Sequence, residues 1–204
     1  MSRRNEILDR AGELFSTRGF HATSMRDLAE AVGLQGGSLY AHIASKDELL
    51  FEIVNKAADA FLRQAESVPR DLSPEARLRA LVRGHLEVIV RELPRAKVFF
   101  DEWRFLSDDY QRRIKGRRDA YEAHFREAIA AGIAAGLFPQ QDARLASLFV
   151  LSALNWVYQW YHPEGPLGLE ALSEQYAGLV LAALRNARPE PVAAPREGVA
   201  AESP

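Results

Sequence analysis

Between residues 23 and 50, apolar side chains recur at helical spacing in two short runs. Met25, Leu28, Ala29 and Val32 form the first, and Leu39 anchors the second, with Gly33 and the Gly36–Gly37 pair between them. Short helices joined this way fold by crossing at a tight turn. Gly33 can take the left-handed or crowded backbone of that turn, and Leu34 can plug the space between the helices. Thr23 or Ser24 is placed to cap the first helix, and Asp27 lies three residues after Ser24 as in a capping box. The pattern predicts a helix-turn-helix, a shape whose second helix fits a DNA groove.

Helical spacing continues on both sides. Ile7, Leu8, Ala11, Leu14 and Phe15 put one apolar face on a helix over 3–17 that Gly19 stops. Ser45 caps a fourth helix from Lys46 through Leu49, Leu50, Ile53, Val54, Ala57 and Phe61, long enough to leave the first cluster and enter a second core. Ser73 and Pro74 open a fifth helix, which Pro94 is expected to close. An aromatic-rich helix over 95–105 and long helices over 109–135, 142–161 and 169–186 follow. No useful β-type alternation appears, and no glycine-rich phosphate loop follows a strand. The expected fold is all-α, with about nine helices: a helix-turn-helix unit over 1–46, a helical bundle over 47–188, and a Pro- and Ala-rich tail over 189–204 expected to be disordered.

The formal net charge of −2 does not advertise nucleic acid, so any DNA contact requires a local arrangement of donors on one face. The absence of cysteine excludes disulfides and thiolate chemistry. The N-terminus is amphipathic at once and no apolar run is long enough to span a bilayer, so a cytoplasmic protein without membrane contact is expected. The five histidines are scattered, with no His-Glu-x-x-His pair, and Asp101 and Glu102 beside Trp103 have no accompanying nucleophile pattern. Neither an enzyme nor a metal or cofactor site is expected.

Within the helix-turn-helix, Gly36 and Gly37 leave the start of the second helix unobstructed, so Gln35 and Ser38 can approach a groove. Base reading would fall to Gln35, Gly36, Ser38 and Ala41. Tyr40, His42, Lys46 and, from the first helix, Thr23 offer donors for phosphates, which fix register without reading sequence. The plainer alternative is a helical hairpin with a solvated face, in an interaction protein that binds no DNA.

Taken together, several segments resemble the TetR family of one-component bacterial transcriptional regulators. They are Ile7 to Phe15 with Arg18-Gly19-Phe20, the run from Thr23 to Gly33, and Gly37-Ser38-Leu39-Tyr40 with His42 and Ser45 to Leu49. Ile43 stands where the family usually has Phe and Ala44 where it often has Pro, replacements that keep an apolar plug and a small linker residue. The resemblance implies a three-helix DNA domain, a palindromic double-stranded operator, and a homodimer whose C-terminal helices bind an effector. The segment from Asn155 to Leu167 resembles a subgroup controlling fatty-acid or aromatic-acid degradation, several members of which respond to acyl-CoA thioesters. The implied function is a repressor released by an acyl-CoA-like effector; the alternative is an efflux regulator answering a small apolar compound.

An apolar cavity lined by Phe99, Phe100, Trp103, Phe105, Tyr121, Phe125, Trp156 and Trp160 suits such an effector, although for any one of these aromatics taken alone plain core is the better reading. Arg91, Arg95, Arg104, Arg112, Arg113, Arg117 and Arg118 flank this region; Arg104 and Arg117 are the candidates for effector phosphates, the others reading as solvated helix faces. Apolar density on the last two long helices places dimerisation at Val150, Leu154, Leu172, Tyr176, Leu179, Val180 and Ala183, against the alternative of a broad internal core.

Overall fold

The computed structural model describes residues 2–188, so the expected tail lies outside the described residues. Helix α1 (Arg3–Arg18) starts at Ser2, whose hydroxyl accepts from the Asn5 N–H, and stops at Gly19, where φ is +87°. In α2 (Met25–Ala31) the reciprocal bonds of Ser24 and Asp27 satisfy two backbone donors, and the Ser24 hydroxyl, with the Ser24 N–H second, donates to the Asp27 carboxylate and holds that carboxyl below its usual pKa. Gly33 follows at φ +65°, a conformation costly for any residue with a Cβ. A single turn, α3 (Gly36–Leu39), then leads to α4 (Lys46–Glu66), capped by Ser45.

Pro74 opens α5 (Pro74–Arg91), as its missing N–H allows in a first turn. Pro94 does not act as a terminator. It sits in the first turn of α6 (Leu93–Asp101), again where no backbone donor is required. The expected helix over 95–105 is therefore shifted, and a 3-10 turn at Trp103–Phe105 follows α6. Helix α7 (Asp108–Ala134) matches expectation. The expected helix over 142–161 breaks at Trp156 into α8 (Ala143–Asn155) and the short α9 (Val157–Trp160), which buries Val157 and Tyr158 while Trp156 remains outside. Helix α10 (Leu169–Arg185) ends the described chain. All the regular structure among the described residues is helical, and no helix there is long and apolar enough to cross a membrane.

One continuous core runs through the molecule. Phe15, Leu28, Leu39 and Ile43 fill the N-terminal part, and α4 carries the core onward through Leu50, Val54 and Phe61. Around α4 stand α5, α6 and α7, while α8 lies on α7 and α10 lies on α5. The N-terminal helices also dock directly on α6 and its 3-10 turn. Glu102 Oε2 accepts the Phe20 N–H at 3.2 Å, Arg95 pairs with Asp9 at 3.0 Å, and Phe105 lies over Phe20 and His21 with centroids 6.4 and 4.3 Å away.

Candidate DNA-reading face and effector cavity

Leu39 and Ile43 are buried and pin α3 and the turn after it to the N-terminal core. With those two inward, Gln35, Gly37, Ser38, Tyr40, Ala41 and His42 are exposed together on the outer side. A Cβ added at Gly37 would meet no atom of this chain within 4 Å, so its own packing does not require glycine there. The backbone behind this face is held: Arg3 donates to the Val32 carbonyl at 2.6 Å, and Arg4 to the His42 carbonyl while pairing with Glu48 and Glu52. Gly36 begins α3.

Two phosphate candidates are placed differently from expectation. Thr23 is fully buried, and its hydroxyl donates to the Gly19 carbonyl at 2.9 Å; it braces the loop before α2 and cannot reach a phosphate from there. Lys46 is half-buried. Its ammonium donates to the Phe20 and Thr23 carbonyls at 2.9 and 3.0 Å and lies 4.3 Å from the Phe20 ring centroid, leaving one of its three N–H groups for an outside partner.

Behind this region a cavity of about 210 Å³ opens between α4, α5, α6, α7 and α8. It brings together four expected residues, Phe99, Phe100, Arg117 and Tyr121. The others lie elsewhere. Phe125 is core beneath Tyr121, with ring centroids 5.6 Å apart. Trp103 is half-buried against Arg118 outside the lining, Phe105 is on the N-terminal helices, and Arg104 is exposed and donates to the Asp101 carbonyl. Trp156 is 62% exposed, and Trp160 stacks on Tyr176 at 6.3 Å at the surface, because the break after α8 turns both away from the cavity.

Sequence reasoning missed Phe61, His85 and Arg144 as lining residues, and named Arg118 only among the flanking arginines. His85 occupies an apolar slot on α5, in register with Leu78, Leu81, Val82 and Ile89, and that misplaced polarity was the available signal. Burial drives its pKa down to about 3, so the imidazole is neutral; Nδ1 lies 2.9 Å from the Tyr121 hydroxyl. Arg118 shares a helix face with Tyr121. It donates to the Phe99 carbonyl at 3.0 Å, its guanidinium lies 4.5 and 4.4 Å from the Phe99 and Trp103 ring centroids, and it forms no ion pair among the described residues. Burial lowers its pKa to about 10, which still leaves it charged at neutral pH. Arg117, by contrast, is paired with Asp59 and donates to Asn55 at 3.1 Å. The cavity thus has aromatic walls interrupted by Arg118, which has no ion pair among the described residues, and by the half-buried Glu122, which pairs with Arg126 at 3.2 Å and accepts from the Ser147 hydroxyl; Asp119, Arg144 and Ser152 stand at its exposed rim.

The expected dimer residues divide. Val150, Leu154, Leu172 and Val180 are buried in this chain's own core and cannot meet a second copy. Leu179 is 66% exposed, Ala183 is exposed and Tyr176 is half-buried. The exposed apolar face of α8 instead carries Leu145 and Phe149, continued by Trp156, at four- and seven-residue steps that keep one helical side.

Comparison with known proteins agrees with this geometry. Residues 7–53 match the model of bacterial regulatory proteins of the tetR family, and residues 71–184 match the tetracyclin repressor-like C-terminal domain. The HTH-type transcriptional repressor KstR2 of Mycobacterium tuberculosis is 33% identical over 184 residues, covering 88% of this chain and 92% of that protein. The solved structure of that ketosteroid transcriptional regulator is 30% identical, with a TM-score of 0.84 over 91% of this chain and 96% of the other. AibR, solved in complex with isovaleryl coenzyme A and operator DNA, is 29% identical, with a TM-score of 0.79 over 90% of this chain and 98% of the other. With an exposed helix-turn-helix in front and a bundle enclosing a cavity behind, the chain belongs to the TetR family of ligand-responsive, DNA-binding transcriptional regulators.

Proposed function

We propose that this protein is a homodimeric repressor that holds a palindromic operator and is released from it by an acyl-CoA thioester. Residues 1–46 serve as the DNA-binding unit and 47–188 as the effector and dimerisation unit. The observation that carries the ligand class is Arg118, largely buried and without an ion pair among the described residues, on the wall of a cavity with aromatic sides where the half-buried carboxylate Glu122 is already engaged by Arg126 and the Ser147 hydroxyl. A buried cation without a counter-ion favours an anionic ligand, and the aromatic walls favour an apolar one. An acyl-CoA is both, through its apolar acyl chain and the charged phosphates of its CoA part. At about 210 Å³ the cavity suits the acyl part, leaving the nucleotide at the rim beside Arg144. AibR, similar in sequence and fold, was solved with isovaleryl coenzyme A, which supports the ligand class.

Gln35, Gly36, Ser38 and Ala41 would read bases, while Tyr40, His42 and the remaining N–H of Lys46 would position the protein on phosphates. A single turn of recognition helix contacts few bases, so specificity requires two half-sites and a dimer. The second copy would cover Leu145, Phe149, Trp156, Tyr176, Leu179 and Ala183. Helix α6 connects the two functions: Phe99 and Phe100 line the cavity, and Glu102 just beyond them holds the Phe20 N–H. A ligand that displaces α6 would shift the spacing of the two reading faces.

Band-shift titration of the operator complex with acyl-CoAs of graded length, phenylacetyl-CoA, the free acids and free CoA tests this reading. Release by intact thioesters, and not by either half alone, is expected. Release by an uncharged apolar compound with no response to any thioester would replace the proposed effector with an efflux-type ligand.

A further inference from the structure

The cavity contains a buried polar group that a purely apolar chain would leave without a partner. His85 is 2% exposed and lines the cavity, and its Nε2 has no hydrogen-bond partner among the described residues. Its other nitrogen faces the Tyr121 hydroxyl at 2.9 Å. A neutral imidazole carries one N–H and one lone pair, so two arrangements exist. If Nδ1–H donated to Tyr121, the tyrosine proton and the Nε2 lone pair would both be left without partners. If Tyr121 donates to Nδ1, a single group is left over, the Nε2–H. Buried donors without partners are uncommon and costly, so the arrangement with one orphan is favoured.

We propose that the Nε2–H of His85, held as a donor by Tyr121, binds an acceptor oxygen on the part of the effector that enters the cavity. The site would then take carbonyl-bearing acyl groups in preference to equally apolar ones. The inference rests on the acyl-CoA reading above and adds the atom that selects among thioesters. Two oxygens have the required chemistry, the thioester carbonyl itself and a ketone within the acyl chain. Phe61, whose centroid lies 4.9 Å from that of His85, and Phe100, at 6.5 Å, supply the apolar walls that keep water from competing for the bond.

The test is calorimetric binding to the full-length protein without DNA, using octanoyl-CoA, S-octyl-CoA in which a methylene replaces the carbonyl, and an oxo-octanoyl-CoA with a ketone near the chain end. If the thioester oxygen is bound, octanoyl-CoA should bind tenfold or more tighter than the thioether. If the chain oxygen is bound, the oxo compound should exceed octanoyl-CoA by a similar factor. In either case His85→Leu should bring the affected pair within twofold, with no loss of affinity for the ligand lacking the oxygen, and His85→Gln should retain part of the preference. Should His85→Leu fail to fold, Tyr121→Phe decides: with Nδ1 unheld, the preference should fall at least threefold. Equal binding of all three compounds to the unaltered protein, or a preference that survives in His85→Leu or Tyr121→Phe, overturns this inference and leaves the proposed function standing. Failure of every thioester to bind overturns both.

Discussion

The imidazole of His85 has consequences for stability as well as for binding. Its pKa is about 3 when buried, against about 6.5 in an unfolded chain. Between those values the unfolded state binds a proton that the folded state does not, so stability falls as pH drops from about 6.5 towards 3. Urea denaturation should therefore give a loss on the order of 1–2 kcal/mol from this group between pH 6.5 and 5, absent in His85→Leu. An equal loss in the variant would contradict the assignment. On the DNA side, Gln35→Ala or Ser38→Ala should change operator preference, by about 1–3 kcal/mol where a base contact is lost. Tyr40→Phe and His42→Ala should weaken good and poor sites alike, by roughly 0.5–1.5 kcal/mol each. Titration across an operator library separates the two patterns. These exposed residues were legible in the sequence because Leu39 and Ile43 fix which side faces inward. Thr23 was not. Its burial depends on the loop before α2 bending back so that its hydroxyl meets the Gly19 carbonyl, a contact that spacing does not encode.

Among the elements, α2, α4 and α5 were readable at their starts because Ser24, Ser45 and Ser73 with Pro74 mark them locally, and α1 at its end because of Gly19. The break at Trp156 has no such punctuation and depends on Val157 and Tyr158 finding the core, so Trp156 and Trp160 were assigned to the wrong surface. Helical periodicity likewise showed that α8 and α10 are apolar on more than one side, but not which side meets this chain's own core. Exposure now distinguishes them. Leu179→Arg and Phe149→Arg should each yield a folded monomer in sedimentation velocity at micromolar concentration, whereas Val150→Arg should unfold the chain, because it places a charge among fully buried side chains. A persistent dimer in both surface variants would exclude this face. The connection through α6 is tested by Glu102→Gln, which weakens the bond to the Phe20 N–H. Effector affinity of the DNA-free protein should stay within twofold while the effect of effector on operator binding falls severalfold.

For the whole molecule, the central claim is that the cavity and the reading face are energetically coupled. Proximity alone does not establish this, since a ligand that binds both conformations equally shifts nothing however tightly it binds. Coupling is reciprocal: a thioester that weakens operator binding must itself be bound more weakly when the operator is present, by the same factor. A hundredfold effect corresponds to about 2.7 kcal/mol, within the usual range of about 1–3 kcal/mol for coupling between two sites. The most direct measurement is therefore the complete cycle on one preparation: operator affinity with and without saturating acyl-CoA, and acyl-CoA affinity with and without saturating operator. The account predicts two ratios that agree within error and differ from one by tenfold or more in the direction of release. Tight binding of both ligands with both ratios equal to one would contradict it.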